Sequence, residues 1–299
     1  MGSALTTIAL PVALGIIMLG LGLSLRLSDF GRVAKHPKAV LIALACQLLV
    51  LPALCFGLVL LFQLPPILAV GMMLLAASPG GTTANLYSHL FRGDVALNIT
   101  LTAINSIIAL FTLPLITNFA IGYFLPGEDG LGIQFSKAVE VFAIVLIPVA
   151  IGMVIRRLAP KFADAMDKPV RIASMVILAI VIVGALIANR ELFFDNLGAL
   201  AGITLLFCAL SLTIGFFVPR LLRVERRQAV ASAFEIGIHN ATLAIVIAVS
   251  VIGSEQMQLP AAVYGVLMFF VALAFGLLIA RRGASTAEEP AARPSRTRP

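Results

Sequence analysis

Apolar runs, each near the ~20 residues a helix needs to cross a bilayer, recur along this 299-residue chain from residue 4 to residue 280. Nine are read: Ala4–Leu25, Ala39–Phe62, Ile67–Phe91, Val95–Ile121, Ala138–Ile155, Val170–Ala188, Leu197–Val218, Ala229–Ile252 and Ala261–Ala280. The period-2 alternation of a membrane β-strand is absent, so the expected fold is an all-α polytopic membrane protein. Composition agrees, with 61% of residues hydrophobic and 12% charged, where a soluble domain carries about 25% charged residues. One membrane domain, residues 1–280, is expected, and nothing is left over for a soluble one. The Pro-, Ala- and Arg-rich tail, residues 281–299, has no means of burying a core and is expected to be disordered.

A net charge of +7 would suit a nucleic-acid binder, but the placement of the charges argues otherwise. Nineteen of the 21 Lys and Arg residues fall on one side of the membrane, between spans 1 and 2, 3 and 4, 5 and 6, 7 and 8, and in the tail. Only Lys137 and Arg190 fall on the other side. The positive-inside rule then puts the N-terminus outside and the C-terminus in the cytoplasm, in a cell (inner) membrane. Cys46, Cys55 and Cys208 all lie within spans and read as small apolar packing residues. The first apolar run lacks a basic leader and continues at full membrane length, so it reads as a span rather than a cleaved signal.

Two spans are broken. The third runs ILAVGMMLLAA into SPGGTTANLYSHLFRGD, so that Pro79, Gly80 and Gly81 arrive where the helix should continue. Proline removes a backbone donor, and glycine costs roughly 1 kcal/mol against alanine in a helix interior. The eighth, AVASAFEIGIHNATLAIVIAVSVI, carries Glu235, Gly237, His239, Asn240 and Thr242 within eight residues. A mid-membrane carboxylate costs roughly 2.5–3.5 kcal/mol on insertion scales. No cationic residue sits in a span core beside Glu235, so it is either protonated or partnered by a bound cation. The blander readings are a Pro-kinked helix with close packing, and a structural carboxyl.

The broken spans are third and eighth of nine, the same place in spans 1–4 and 6–9. With span 5 between them, the two halves run oppositely through the membrane, which is the arithmetic of an inverted repeat. Interrupted helices at matching positions point to a transporter's binding site. The freed carbonyls suit a cation, and a half-helix N-terminus suits an anion. Thr82 and Thr83 supply caps there, and Asn85 an oxygen ligand. In span 4, Asn98, Thr102 and Asn105 form a polar row at i, i+4 and i+7, which alone reads as interhelical hydrogen bonding. Gln47 is equally unspecific alone, and His89 and Arg92 read as interfacial. His239 lies four residues after Glu235, on the same face if the helix is intact, as a proton relay, a hydrogen-bonded pair or a packing residue. Two ligands without a third do not make a metal site.

LGIIMLGLGLSLRLSDF (14–30), SPGGTTANLYSHLFRGDVALNITLTAINS (78–106) and FEIGIHNATLA (234–244) together resemble the bile acid:sodium symporter family, whose hallmarks are a PGG…SN…RG(D/N) segment and an E-(V/I)-G-x-Q-N segment. The resemblance spans about Leu10 to Ala280. It implies an inverted-repeat transporter fold with two discontinuous helices crossing near mid-membrane. A core would comprise residues 39–121 and 197–280, and a panel residues 4–25 and 138–188. Nine helices are expected, as in the family's animal members, where bacterial relatives often have ten.

Carried over by motif position, one sodium site uses Asn85, Asn98, Thr102 and Glu235. A second uses Gln47, Glu235, the carbonyls of Ile236 and Ile238, and His239; the substrate meets the breaks near Thr82, Thr83 and Asn240. The chain departs from the pattern at Ala84, where a serine is usual, and at Asn98, where a small hydroxyl residue is usual. His239 replaces the glutamine, and hard cations prefer oxygen to neutral imidazole, so a proton is an alternative coupler there.

The function expected is sodium-coupled symport of an organic anion, bile-acid-like or a small monocarboxylate, by alternating access. The alternatives are a proton-coupled carrier using Glu235 and His239, and a non-transporting membrane sensor on the same fold. Sodium is the expected coupling ion, with no organic cofactor. Partners are membrane lipid and the substrate, with no nucleic acid and no obligate protein. No nucleophile or metal constellation accompanies Glu235 and His239, so an enzyme is not expected.

Overall fold

The computed structural model describes residues 10–25, 36–81, 83–127 and 135–285, and these are almost wholly helical. Prolines and caps set many of the boundaries. Helix α1 is Leu10–Ser24. Helix α2, Pro37–Phe62, starts on a proline and ends at Gln63, which takes a left-handed conformation (φ 50°). Within α2, Pro52 cannot donate back to the preceding turn. The chain there winds one wide turn, Cys46–Val50, in which Leu51 N–H reaches back to the Cys46 carbonyl. Such wide turns are frequent at functional sites, and this one carries Gln47.

Helix α3 is Pro66–Ala77 and α4 is Thr83–Leu90, so the third span is two helices rather than one. Helix α5 is Val95–Phe124, opened by the Asp94 side chain accepting from Leu97 N–H at 3.1 Å. Its halves, Val95–Ala109 and Phe111–Phe124, meet at 55°, and Pro114, which has no N–H for the Leu110 carbonyl, accounts for the bend. Then come α6 (Phe135–Leu158), α7 (Pro160–Ala188), the short α8 (Arg190–Asp195) and α9 (Leu197–Leu221). The eighth span is also two helices, α10 (Arg226–Gly237) and α11 (Ala241–Ile252), followed by α12 (Leu259–Ser285).

Most helices run a few residues beyond the apolar runs, because polar flanks carry helix propensity that hydropathy does not see. The clearest case is α12, which continues through Arg281 to Ser285 where the tail was expected to be disordered; residues 286–299 lie outside the described residues. Among the described residues, three helices are long and apolar enough to cross a membrane, Pro37–Phe62, Leu197–Leu221 and Leu259–Arg281, or four if the bent α5 is one span. The chain is thus an all-helical integral membrane protein. Its outer surface is apolar, as lipid requires: Phe111 and Leu115 on α5 are 68% and 72% exposed.

Helix α1 packs mainly on α6 and α7. Its approach to α6 is close enough that a Cβ at Gly22 would stand 2.2 Å from the Val149 carbonyl oxygen. The other major packings join α2 to α3, α3 to α5, α9 to α10 and α12, and α10 to both α4 and α5. The interrupted segments are thereby surrounded by helices, the setting that non-helical backbone needs at membrane depth.

Candidate cation site where two broken helices cross

Helix α3 stops at Ala77 because the residue before a proline is pushed out of the helical region; Ser78 is extended, with ψ 145°. Helix α10 stops at Gly237, and Ile238 leaves the helix with φ −115° and ψ 88°. The two breaks satisfy each other. Gly81 N–H donates to the Ile238 carbonyl at 2.7 Å and Asn240 N–H donates to the Pro79 carbonyl at 2.8 Å, an antiparallel bridge centred on Gly80 and His239. Side chains cover further carbonyls: Gln47 Nε2 donates to Ser78 (3.1 Å), and Tyr264 Oη and Cys208 Sγ donate to Gly237 (2.9 and 3.5 Å). Buried backbone left without partners would cost far more than these contacts.

Glu235 sits on the last turn of α10 with no exposure at all. Its Oε2 accepts from Thr102 Oγ1 at 2.5 Å and its Oε1 from Asn105 Nδ2 at 3.4 Å. A side chain at Gly80 is impossible without movement, since its Cβ would stand 2.3 Å from Oε1 and 2.4 Å from Cδ of Glu235. One turn back on both helices, Asn98 Nδ2 donates to the Ala231 carbonyl at 2.7 Å. The row Asn98, Thr102, Asn105 therefore lies along α10, ending on the carboxyl.

Unpartnered amide oxygens occur on the helices that meet here. The amide oxygens of Gln47, Asn85, Asn98 and Asn105 are buried and accept no hydrogen bond. Among the described residues no lysine or arginine is buried, and Glu235 is the one buried acid. Leaving a buried polar atom unsatisfied is costly, and a charge more so. An all-oxygen set with one formal negative charge is the chemistry of a hard cation. No group of three His, Cys, Asp or Glu side chains occurs among the described residues, so a transition-metal centre has no ligands there.

The structure brings Thr102 and Glu235 into direct contact and sets Asn98 beside them. Asn85, on α4, is half-buried with its oxygen unpaired. Thr83 opens α4, whereas Thr82 lies outside the described residues. The Asn240 side chain accepts from Leu243 N–H at 3.1 Å and so caps α11. Ile236 and Ile238 are fully buried.

His239 does not share a face with Glu235, because the helix ends between them and the i, i+4 relation lapses. Its ring instead meets Tyr264, with Nδ1 3.2 Å from Oη, and packs against Phe207. Asn105 had read as ordinary interhelical polarity; its place in the row beside Thr102 was the available signal. Tyr264 had no signal, and Gly80 read only as a helix breaker, because their contacts are made across the crossing. The three cysteines are free and buried. His89 and Arg92 are exposed.

A family model, the Sodium Bile acid symporter family, matches residues 11–196. An uncharacterized sodium-dependent transporter of Bacillus subtilis, YocS, is 26% identical over 257 residues, 86% of this chain and 78% of that one. A chloroplast protein of rice described as a probable sodium/metabolite cotransporter, BASS2, is 25% identical over 93% of this chain. A probable sodium/metabolite cotransporter of Arabidopsis thaliana, BASS1, is 28% identical over 85% of this chain. The chain spans 65% and 62% of those two plant relatives' own lengths.

Proposed function

The chain belongs to the Sodium Bile acid symporter family, a family of carriers rather than enzymes, and from this premise we propose that it is a sodium-coupled symporter of a small organic anion. The observation that carries the reading is Glu235: a fully buried carboxyl among amide oxygens that have no donor. Sodium is cargo here, held by Glu235 with Asn85, Asn98 and Thr102, and Asn105 joins that set. The second set, Gln47, Glu235, Ile236, Ile238 and His239, is buried throughout.

Coupling follows from electrostatics. A buried, uncompensated carboxylate resists enclosure, and a bound cation removes that penalty. The substrate anion lies where α4 and α11 begin, near Thr82, Thr83 and Asn240, so that the half-helix dipoles and the cation act on it together. With no buried lysine or arginine among the described residues, a monocarboxylate is favoured over a multiply charged substrate. The names of the Bacillus and plant relatives, sodium-dependent transporter and sodium/metabolite cotransporter, support the same reading.

Alternating access is a rocking of a core, residues 39–121 and 197–280, against a panel, residues 4–25 and 138–188. The packing of α1 on α6 and α7 supports that division. Nine spans in an inverted repeat, with the N-terminus outside and the C-terminus cytoplasmic in a cell membrane, fit the charge asymmetry of the connections. The test is uptake into proteoliposomes of a panel of labelled monocarboxylates under an inward sodium gradient. Accumulation that needs sodium and is lost in Glu235→Gln is expected. Accumulation driven by a pH gradient in sodium-free buffer would replace sodium with the proton.

A further inference from the structure

We infer that the crossing holds one sodium ion, and that the imidazole of His239, fixed by Tyr264, stands where a second ion would need its ligands. The inference rests on the sodium reading above. Oxygen is shared unevenly between the two sides of the crossing. Toward α4 and α5, Asn85, Asn98 and Asn105 each keep a buried amide oxygen without a donor, beside a carboxyl tied to that row by Thr102 and Asn105.

On the opposite side three of the main-chain acceptors already have donors. The Gly237 carbonyl accepts from Tyr264 and Cys208, Ile238 from Gly81, and Ser78 from Gln47. The amide oxygen of Gln47 is the one side-chain oxygen of the second set, apart from the carboxyl, that is without a donor. The remaining side chain offers nitrogen. Tyr264 Oη gives its single proton to Gly237, so in its 3.2 Å contact with His239 the ring Nδ1–H donates. The lone pair then lies on Nε2, which is buried and unpartnered. Phe207 and Tyr264 wall the ring, with centroids 5.5 and 5.4 Å away. Beside the shared carboxyl and the Ile236 and Ile238 carbonyls, the side chains there add one amide oxygen and one imidazole nitrogen, a poor shell for a hard cation, which takes several oxygens.

Glu235 is the one buried acid among the described residues and belongs to both sets, so the ligands beside it decide how many ions it serves. One sodium ion moving with one monocarboxylate carries no net charge, so the membrane potential adds nothing to the accumulation reached.

The experiment is saturation binding of radioactive sodium to the purified full chain in choline chloride, without substrate. The expected ratios are one ion per chain for the wild type and for Tyr264→Phe, none for Glu235→Gln, and two for His239→Gln, which restores an amide oxygen. A wild type that binds two ions, or a folded His239→Gln that still binds one, overturns the inference and leaves the sodium reading standing. A wild type that binds none overturns both. If His239→Gln does not fold, the wild-type ratio decides alone.

Discussion

Replacing Gly80 with alanine is a one-carbon probe of the crossing. The added Cβ would lie 2.3, 2.4 and 2.6 Å from Oε1, Cδ and Oε2 of Glu235, so the carboxyl must retreat by about 1 Å to reach ordinary contact. The carboxyl is the movable end of its side chain, but it is fully buried and held by Thr102 at 2.5 Å. A shift of that size breaks at least one hydrogen bond to a charged group, worth about 1.5–3 kcal/mol. Sodium affinity should therefore fall by about tenfold to about 150-fold. Gly81→Ala is the matched control: its Cβ would be 3.2 Å from the His239 carbonyl oxygen, a contact the neighbour relieves by a few tenths of an ångström. The assay is a titration of radioactive sodium against each purified variant, with thermal unfolding in choline chloride to check that both fold. Wild-type affinity in Gly80→Ala, or equal losses in the two variants, would refute the placement of the cation beside Glu235.

Thr102→Ala should weaken sodium binding by the same hydrogen-bond term, about 1.5–3 kcal/mol, and Thr102→Ser should recover most of it in the same titration. Asn105→Ala should weaken it less, because its contact with the carboxyl is longer, at 3.4 Å. Asn240→Ala removes the cap of α11 and should lower stability by about 0.5–2 kcal/mol, read as an earlier thermal midpoint in choline chloride. Tyr264→Phe uncaps the Gly237 carbonyl and should lower the midpoint similarly, in sodium and in choline alike.

Much of the fold was legible because a bilayer leaves a chain few options. The apolar runs marked the helices, and Pro79 with its glycines marked where one had to stop. Periodicity put Asn98, Thr102 and Asn105 on one face before anything was known of what faced them. It failed at His239, since an i, i+4 argument holds only inside an unbroken helix and α10 ends two residues earlier. Tyr264 was hidden for a different reason. Nothing local distinguishes its hydroxyl, and its contact with Gly237 exists only because α12 packs beside the second broken helix. The extension of α12 past the last apolar residue was missed because hydropathy reports burial in lipid, not helix propensity.

Sodium selection at the crossing depends on Glu235. It is tested most directly by thermal unfolding of the detergent-purified protein titrated with NaCl, KCl or choline chloride, for the wild type and Glu235→Gln. A ligand bound only by the folded state stabilises it by about 2.7 kcal/mol at a hundred times its Kd. A midpoint that rises with sodium alone in the wild type and stays flat in Glu235→Gln is expected. Equal midpoints in sodium and potassium, or a sodium response that survives the loss of the carboxylate, would contradict it.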